Sequence, residues 1–299
     1  MNPIREKIEY GLTKGLLTIL RYCPAAVVYG ICRVFSAFFY TVAIRRRRIT
    51  WANLNIAFPE LSVKETRRMA RAAYNHFGQF MAESAMILCG RIQKYDLLNM
   101  VDGGEVSRLQ ELEQHTEKGI LFITGHLGNF ELLAHYTGTK MKRSGYVVAR
   151  KGTNQLIDDR IVTPLRKSFG NGVIYKSRAL PLIARALRKG EHIGLLIDIK
   201  TNTQQGVPVT FFGKETLAIN SSAYLQIKLD IPVVPVAMVR VGPKSYKLIA
   251  GAPIPWDDNG KPQNEQIAEL TQIHQSALEN LIRQYPEQWL WMHDRWRLT

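Results

Sequence analysis

The sequence predicts an α/β fold, a single mostly parallel or mixed sheet flanked by helices, with a hydrophobic helical segment ahead of it. Three observations point there. From residue 119 onward, short apolar runs alternate with stretches at helical spacing, the pattern of strands joined by crossover helices. Glycine-containing turns stand where several of the runs end. No internal repeat or low-complexity linker divides the 299 residues, and a hydrophobic content of 46% suffices for one large core. Residues 49–299 are therefore expected to form one α/β domain, and residues 1–48 an N-terminal membrane-associated helical segment.

Residues 16–44 carry the strongest apolar signal, but Arg21, Pro24 and Arg33 interrupt it. The uninterrupted pieces fall short of the roughly 20 residues a spanning helix needs. A helix or helical hairpin lying in the membrane interface fits better. A single tilted span is the other membrane arrangement, and Arg45, Arg46, Arg47 and Arg48 would then hold the following domain on the cytoplasmic side. Without a membrane, the segment reads as a buried helix pair. The arginine run favours the membrane, because beside an anionic leaflet each basic side chain adds about 1 kcal/mol. The apolar stretch lacks a small-residue cleavage site, so no cleavable signal peptide is expected.

Ser62 and Glu65 form a capping-box pattern that opens a helix through Leu88, with Met69, Ala73, Phe77, Phe80 and Met81 on its core face. Asp102-Gly103-Gly104 breaks the pattern before a helix over 106–117. Strands follow at 119–124, 145–149 and 172–175, with a helix over 155–168 that Pro164 should kink. Ser177 can cap a helix that Gly190 stops. Further strands are expected at 193–197, 207–211, 232–239 and 246–249, with a helix over 220–229 and a last long helix capped by Asn264 and ended by Pro286.

The formal charge of +15 and a pI near 9.8 imply an acidic partner, whether an anionic membrane, an acidic protein or nucleic acid. Three cysteines, Cys23, Cys32 and Cys89, have no metal-ligand spacing and leave one unpaired in any disulfide scheme, which suits a reducing compartment. There is no Gly-x-Ser-x-Gly elbow and no phosphate-binding Gly-x-x-x-x-Gly-Lys-Ser/Thr loop, which excludes serine hydrolases and nucleotide triphosphatases of those types.

The stretch that carries chemistry is Gly125-His126-Leu127-Gly128-Asn129-Phe130-Glu131. It leaves a strand at its carboxyl end, where ligands sit in open α/β sheets. On a continuous helix, five positions would rotate His126 and Glu131 by about 500° and separate them. A bent turn at Gly128, with Asn129 capping the next helix, brings them together. With Glu131 accepting the proton on one ring nitrogen, the other nitrogen of His126 is free to act as general base on a substrate hydroxyl. The plain alternative is a satisfied strand-end histidine and a favourable charge at a helix N-terminus. A metal reading also exists, since Glu131 and His135 are four apart on one helix face and His126 is near; a non-enzymatic lipid- or nucleic-acid-binding role for the arginine clusters is another. Arg150 ends the second strand and should share the crevice with His126.

The 125–131 segment resembles the His-x-x-x-x-Asp/Glu signature of glycerolipid acyltransferases, specifically the bacterial lipid A biosynthesis acyltransferase family. Asn53-Leu54-Asn55-Ile56-Ala57-Phe58-Pro59-Glu60, Phe211-Phe212-Gly213 and Trp291-Met292-His293-Asp294-Arg295-Trp296 resemble family segments in the same order. The resemblance implies a glycerolipid acyltransferase-like fold and transfer of a fatty acyl chain from acyl-carrier-protein to a hydroxyl of a membrane glycolipid, a lipid A precursor. Acyl-CoA as donor and another glycolipid, such as a phosphatidylinositol mannoside, form the alternative. It further implies His126 and Glu131 as catalytic residues, and Arg150, Asn154, Asp198 and Arg295 as substrate-binding residues. After Asp198, Ile199 and Lys200 depart from the family pattern. No cofactor, no metal and no nucleic-acid partner is expected, and the implied location is the cytoplasmic face of the inner membrane. Phe211 and Phe212 read as the wall of an acyl pocket or as core, and Trp289, Trp291 and Trp296 as an interfacial belt or as a lock on the domain.

Overall fold

The apolar runs of the second half of the sequence are hydrophobic on both faces, and such strands are stable only where helices cover both sides. The computed structural model describes residues 3–177, 179–201 and 206–296. Its strands are β1 (Val101–Asp102), β2 (Leu121–Thr124), β3 (Gly145–Ala149), β4 (Asn171–Tyr175), β5 (His192–Leu196), β6 (Gly206–Phe211), β7 (Lys214–Ile219), β8 (Val233–Gly242) and β9 (Ser245–Ala250). Seven of these form a central sheet in the order β1-β9-β8-β2-β5-β3-β4. Every neighbouring pair is parallel except β8 with β9. The fold is thus mixed α/β.

The helices are α1 (Pro3–Tyr22), α2 (Ala25–Val42), α3 (Ile44–Ala57), α4 (Val63–Leu88), α5 (Lys94–Met100), α6 (Val106–Gln114), α7 (Phe130–Lys140), α8 (Gln155–Ile157), α9 (Thr163–Ser168), α10 (Ala179–Arg188), α11 (Ser221–Leu229) and α12 (Gln263–Gln284). Two cores result, one per sheet face, and β2 feeds both by alternation. Leu121 and Ile123 pack in the core beneath α10, α11 and α12. Phe122 packs in the other, with Leu132, Leu133 and Tyr136 of α7.

Several local expectations are corrected. The strand at 206–211 does not join the main sheet; it pairs antiparallel with β7, which the sequence reading missed. A two-residue turn at Phe212-Gly213 joins them, with Phe212 at φ 52°. Pro164 does not simply kink the 155–168 helix. A π-helical stretch, Asp158–Val162, precedes it, and the Thr163 N–H bonds the Asp158 carbonyl. The wider turn accommodates a ring that cannot donate to the carbonyl four residues back. The last helix begins at Gln263 with no side-chain cap, so Asn264 lies inside its first turn. The capping box of Ser62 and Glu65 is present at α4.

The apolar N-terminal stretch forms α1 and α2, separated at Cys23-Pro24, and the arginine run lies on α3, which continues past residue 48 to Ala57. Among the described residues α2 is the one helix long and apolar enough to cross a membrane, and only 11% of it is buried. It runs antiparallel along α4. Tyr29 donates to Glu83 at 3.0 Å, Ser36 donates to the Tyr74 carbonyl at 2.5 Å, and Tyr40 meets Tyr74 edge-on at 5.0 Å.

Glu83 is the polar hub of α4. Its side chain is fully buried and accepts from Tyr29, Asn129, Arg240 and Tyr246, so one carboxylate ties α2, α4, α7, β8 and β9 together. Burial beside this carboxylate pushes the Tyr246 hydroxyl pKa up, which keeps it protonated as a donor. Removing the carboxylate leaves the Arg240 guanidinium without a counter-charge. Glu83→Leu is therefore expected to cost about 3–5 kcal/mol in chemical denaturation; a loss below about 1 kcal/mol would show that the network contributes little.

Candidate active site

The site is built on the exit of β2. Parallel pairing with β5 sets Thr124 opposite Leu196, so the chain two residues beyond each strand arrives side by side: His126 from one, Asp198 from the other. The Asp198 Oδ1 accepts from His126 Nδ1 at 2.9 Å. Its Oδ2 accepts from the His126 backbone N–H at 2.7 Å and from Trp289 Nε1 at 2.8 Å. The close approach depends on Gly125, where a Cβ would come within 2.9 Å of Asp198 Oδ2.

This corrects the pairing expected from the sequence: the carboxylate on the imidazole is Asp198, not Glu131. Glu131 does lie in the first turn of α7, capped by Asn129 at 3.0 Å, but its side chain accepts from Arg166 at 3.1 Å. Its influence on His126 is one of charge alone. Asp198 has both oxygens occupied and is 2% exposed, so it faces the histidine rather than a ligand. Burial opposes its ionised form, yet the imidazole and the donors around it outweigh that and hold its pKa down to about 2. For His126, burial pushes the pKa down, and the Asp198 charge and hydrogen bond reverse this and leave it above the ordinary histidine value. With Nδ1 donating to the carboxylate, Nε2 is the free nitrogen.

The turn is gripped from three sides. At Gly128 φ is +62° and a Cβ would come within 1.9 Å of the Met238 carbonyl, so only glycine fits. The Asn129 N–H bonds that carbonyl at 2.8 Å. From α4, His76 Nε2 meets the Gly128 carbonyl at 3.1 Å, and Glu83 takes the Asn129 amide at 3.0 Å. From the segment after α12, Leu290 N–H bonds the His126 carbonyl at 3.1 Å, and the Gln288 carbonyl accepts from Gly128 at 3.0 Å.

His126 borders two cavities. One, of about 240 Å³, is a slot between α7 and the sheet. Glu131, Arg150 and Arg166 stand with His126 at the strand-end mouth, and Met141, Gly145 and His192 lie at the other end. Because β3 runs the whole way, the slot is about 16 Å long at the usual rise per strand residue. Its walls are mostly apolar, among them Phe122, Leu133, Val147 and Leu196. The other cavity, about 60 Å³, is bounded by Ala73, Phe77 and Phe80 of α4 and by Trp289, Leu290 and Met292. The imidazole thus stands at the boundary between two apolar spaces.

The remaining candidates separate. Arg150 is exposed and lines the slot mouth, as its strand-end position suggested. Asn154 is buried elsewhere: its amide donates to the Glu6 carbonyl at 2.9 Å and to Glu9, and it caps Ile157, fastening α1 to the loop after β3. Arg295 is fully buried, donating to Thr216, the Leu217 carbonyl and Gln275, so it packs the domain and reaches no ligand space. The tryptophans lock the terminal segment: Trp289, Trp291 and Trp296 are buried among Phe58, Phe211 and Phe212, and the Asn53 amide donates to the Trp291 and His293 carbonyls. Arg166 was missed, since a helical arginine near a proline carries no signal without its position opposite Glu131. Among the described residues no three His, Cys, Asp or Glu side chains are grouped to hold a metal ion. His135 is instead buried against Phe169 at 4.1 Å, and burial pushes its pKa down to about 4.

Residues 4–298 match the family described as bacterial lipid A biosynthesis acyltransferase. Similar proteins include a lipid A biosynthesis lauroyltransferase of Escherichia coli K12, 26% identical over 291 residues, covering 95% of this chain and 89% of that protein. A lipid A biosynthesis palmitoleoyltransferase of the same organism is 24% identical over 260 residues, covering 85% and 79%. A lipid A biosynthesis acyltransferase of Shigella flexneri is similar to the same extent. Matched along nearly its whole length and carrying a buttressed imidazole between two apolar spaces, the chain belongs to the bacterial lipid A biosynthesis acyltransferase family and is an acyltransferase.

Proposed function

We propose that the protein moves a fatty acyl chain from acyl-carrier-protein to a hydroxyl of a lipid A precursor, with His126 as general base. The observation that carries the reading is the position of the His126 ring, held by Asp198 through one nitrogen at the junction of the two cavities. The acyl chain of the thioester lies in the slot, and the acceptor hydroxyl enters from the smaller cavity. Nε2 takes the hydroxyl proton, the oxygen attacks the thioester carbonyl carbon, and the departing thiolate receives the proton back. Asp198 keeps the ring in the required tautomer and favours the imidazolium as it forms. Glu131 and Arg166 form the rim of the slot, and Arg150 beside them meets the phosphate or acidic surface of the donor. A strongly basic chain attracts an acidic carrier protein and a phosphorylated glycolipid.

The acceptor implies a membrane, and residues 1–48 are the proposed docking segment, at the cytoplasmic face of the inner membrane. Support comes from α2, which exposes Val27, Ile31, Val34, Phe35, Phe38 and Val42 while its other face packs along the polar helix α4. A helix fastened lengthwise to a charged partner suits the interface better than a span through hydrocarbon. Arg33 and Arg71 flank the groove between the two helices and suit lipid phosphates.

His126→Ala should lower kcat by about 10²–10⁴-fold with acyl-carrier-protein as donor while leaving the thermal unfolding temperature near that of the parent; near-normal turnover would defeat the base assignment. In wild type the acid limb of the kcat/KM profile is expected above the ordinary histidine value, because the base must be neutral and its pKa is raised. Asp198→Asn should slow turnover and move that limb to lower pH, since burial of the ring then acts without the opposing charge. An unmoved limb would assign the titration to another group. On vesicles, wild type should bind anionic lipid more tightly than neutral lipid, and Arg33→Gln/Arg71→Gln should lose part of that preference; equal binding to both lipids would argue against an electrostatic contribution.

A further inference from the structure

Thr124 is the last residue of β2, and strand alternation turns it with Phe122 toward the slot, while Ile123 faces the opposite core. The residue is 4% exposed, and its Oγ1 has no hydrogen-bond partner among the described residues. An orphaned buried hydroxyl destabilises a fold relative to a methyl of the same shape. Around it the polar groups of the strand ends are engaged: the Asp198 oxygens accept three bonds, and the Thr124 carbonyl accepts from Ile197 at 3.0 Å. One rotatable donor, its oxygen screened from solvent, is left unpaired on a residue of the slot wall, two positions from the base.

We propose that the Thr124 hydroxyl is a catalytic hydrogen-bond donor, binding the carbonyl oxygen of the acyl thioester and stabilising it as it becomes an oxyanion. This rests on the reading that the slot receives the acyl donor and that His126 activates the acceptor. When the acceptor oxygen bonds to the carbonyl carbon, the C=O pair moves onto oxygen and the Thr124 O–H shortens its bond to that charge. When the C–S bond breaks, the pair returns to re-form the carbonyl of the ester, and the sulfur leaves with the proton held by His126. Thr124 gives up no proton, so the balance of the reaction is unchanged. A donor on a buried wall shielded from water is worth far more than the same contact in solvent, because no competing water has to be displaced as charge develops.

The test uses the full chain in detergent or vesicles with an acyl thioester donor, comparing Thr124→Val, Thr124→Ser and His126→Ala. Thr124→Val should lower kcat by about 10²–10³-fold with KM little changed. Its acid limb should stay where the wild type has it, because the His126–Asp198 pair is untouched. Its unfolding temperature should be equal to or above that of wild type, because the substitution removes an unpaired hydroxyl. Thr124→Ser, which keeps the donor, should restore most of the rate. If Thr124→Val turns over within about twofold of wild type while His126→Ala is inactive, the donor role is overturned and the base assignment stands. A loss in Thr124→Val that comes with a lower unfolding temperature and is not restored by serine would make the residue one of packing only, and likewise overturn the proposal. An active His126→Ala would defeat the underlying reading instead.

Discussion

A single carboxylate, sealed from water between two strands, sets the terms for the rest of the site. Ionised Asp198 is tolerable in its buried position because three donors converge on it, two from His126 and one from Trp289. Without them the cost of holding a charge there would amount to several kcal/mol. Each donor in turn constrains an element. The His126 backbone N–H requires the chain to turn at once after β2, Gly125 must lack a side chain to let it, and the Trp289 indole requires the segment after α12 to fold back across the sheet edge. The geometry of the imidazole is thus a property of the whole sheet edge rather than of one local motif.

The turn is also connected outward through α4. His76 and Glu83, two turns apart on this helix, hold the Gly128 carbonyl and the Asn129 amide, and the same Glu83 accepts from Tyr29 on α2. The apolar, largely exposed helix α2 therefore lies one side chain away from the cap of α7. Burial of His76 pushes its pKa down, so it stays a neutral hydrogen-bonding partner beside the site. The two cavities have different makers: α7 with the sheet forms the slot, and α4 with the terminal segment forms the smaller space.

Much of this was legible in the sequence, for reasons that can be located. The strand β2, the left-handed Gly128 and the Asn129 cap leave local signatures, and so does the arrival of Arg150 at a strand end. The alternating strand and helix signals gave the sheet its mostly parallel character. The partner of His126 was not legible, because the contact spans 72 residues and follows from the register of β2 on β5. A carboxylate five positions away was the nearer candidate, and only the position of Arg166 shows where Glu131 points. The burial of Arg295 is unreadable for a similar reason: a guanidinium whose two terminal nitrogens bond Thr216, Leu217 and Gln275 looks in one dimension like any charged residue. The strand β7 did leave a signal, since Thr216, Leu217, Ala218 and Ile219 follow a two-residue turn, but its outer end is polar and the run is short.

The lock made by Trp289, Trp291 and Trp296 has a consequence for biosynthesis. During translation, β2 and β5 can pair long before residues 286–296 have left the ribosome, yet until that segment docks, Asp198 lacks its indole donor and the His126 carbonyl lacks its Leu290 partner. The pair formed by β2 and β5 thus gains its full set of restraints only when the aromatic segment closes over the sheet.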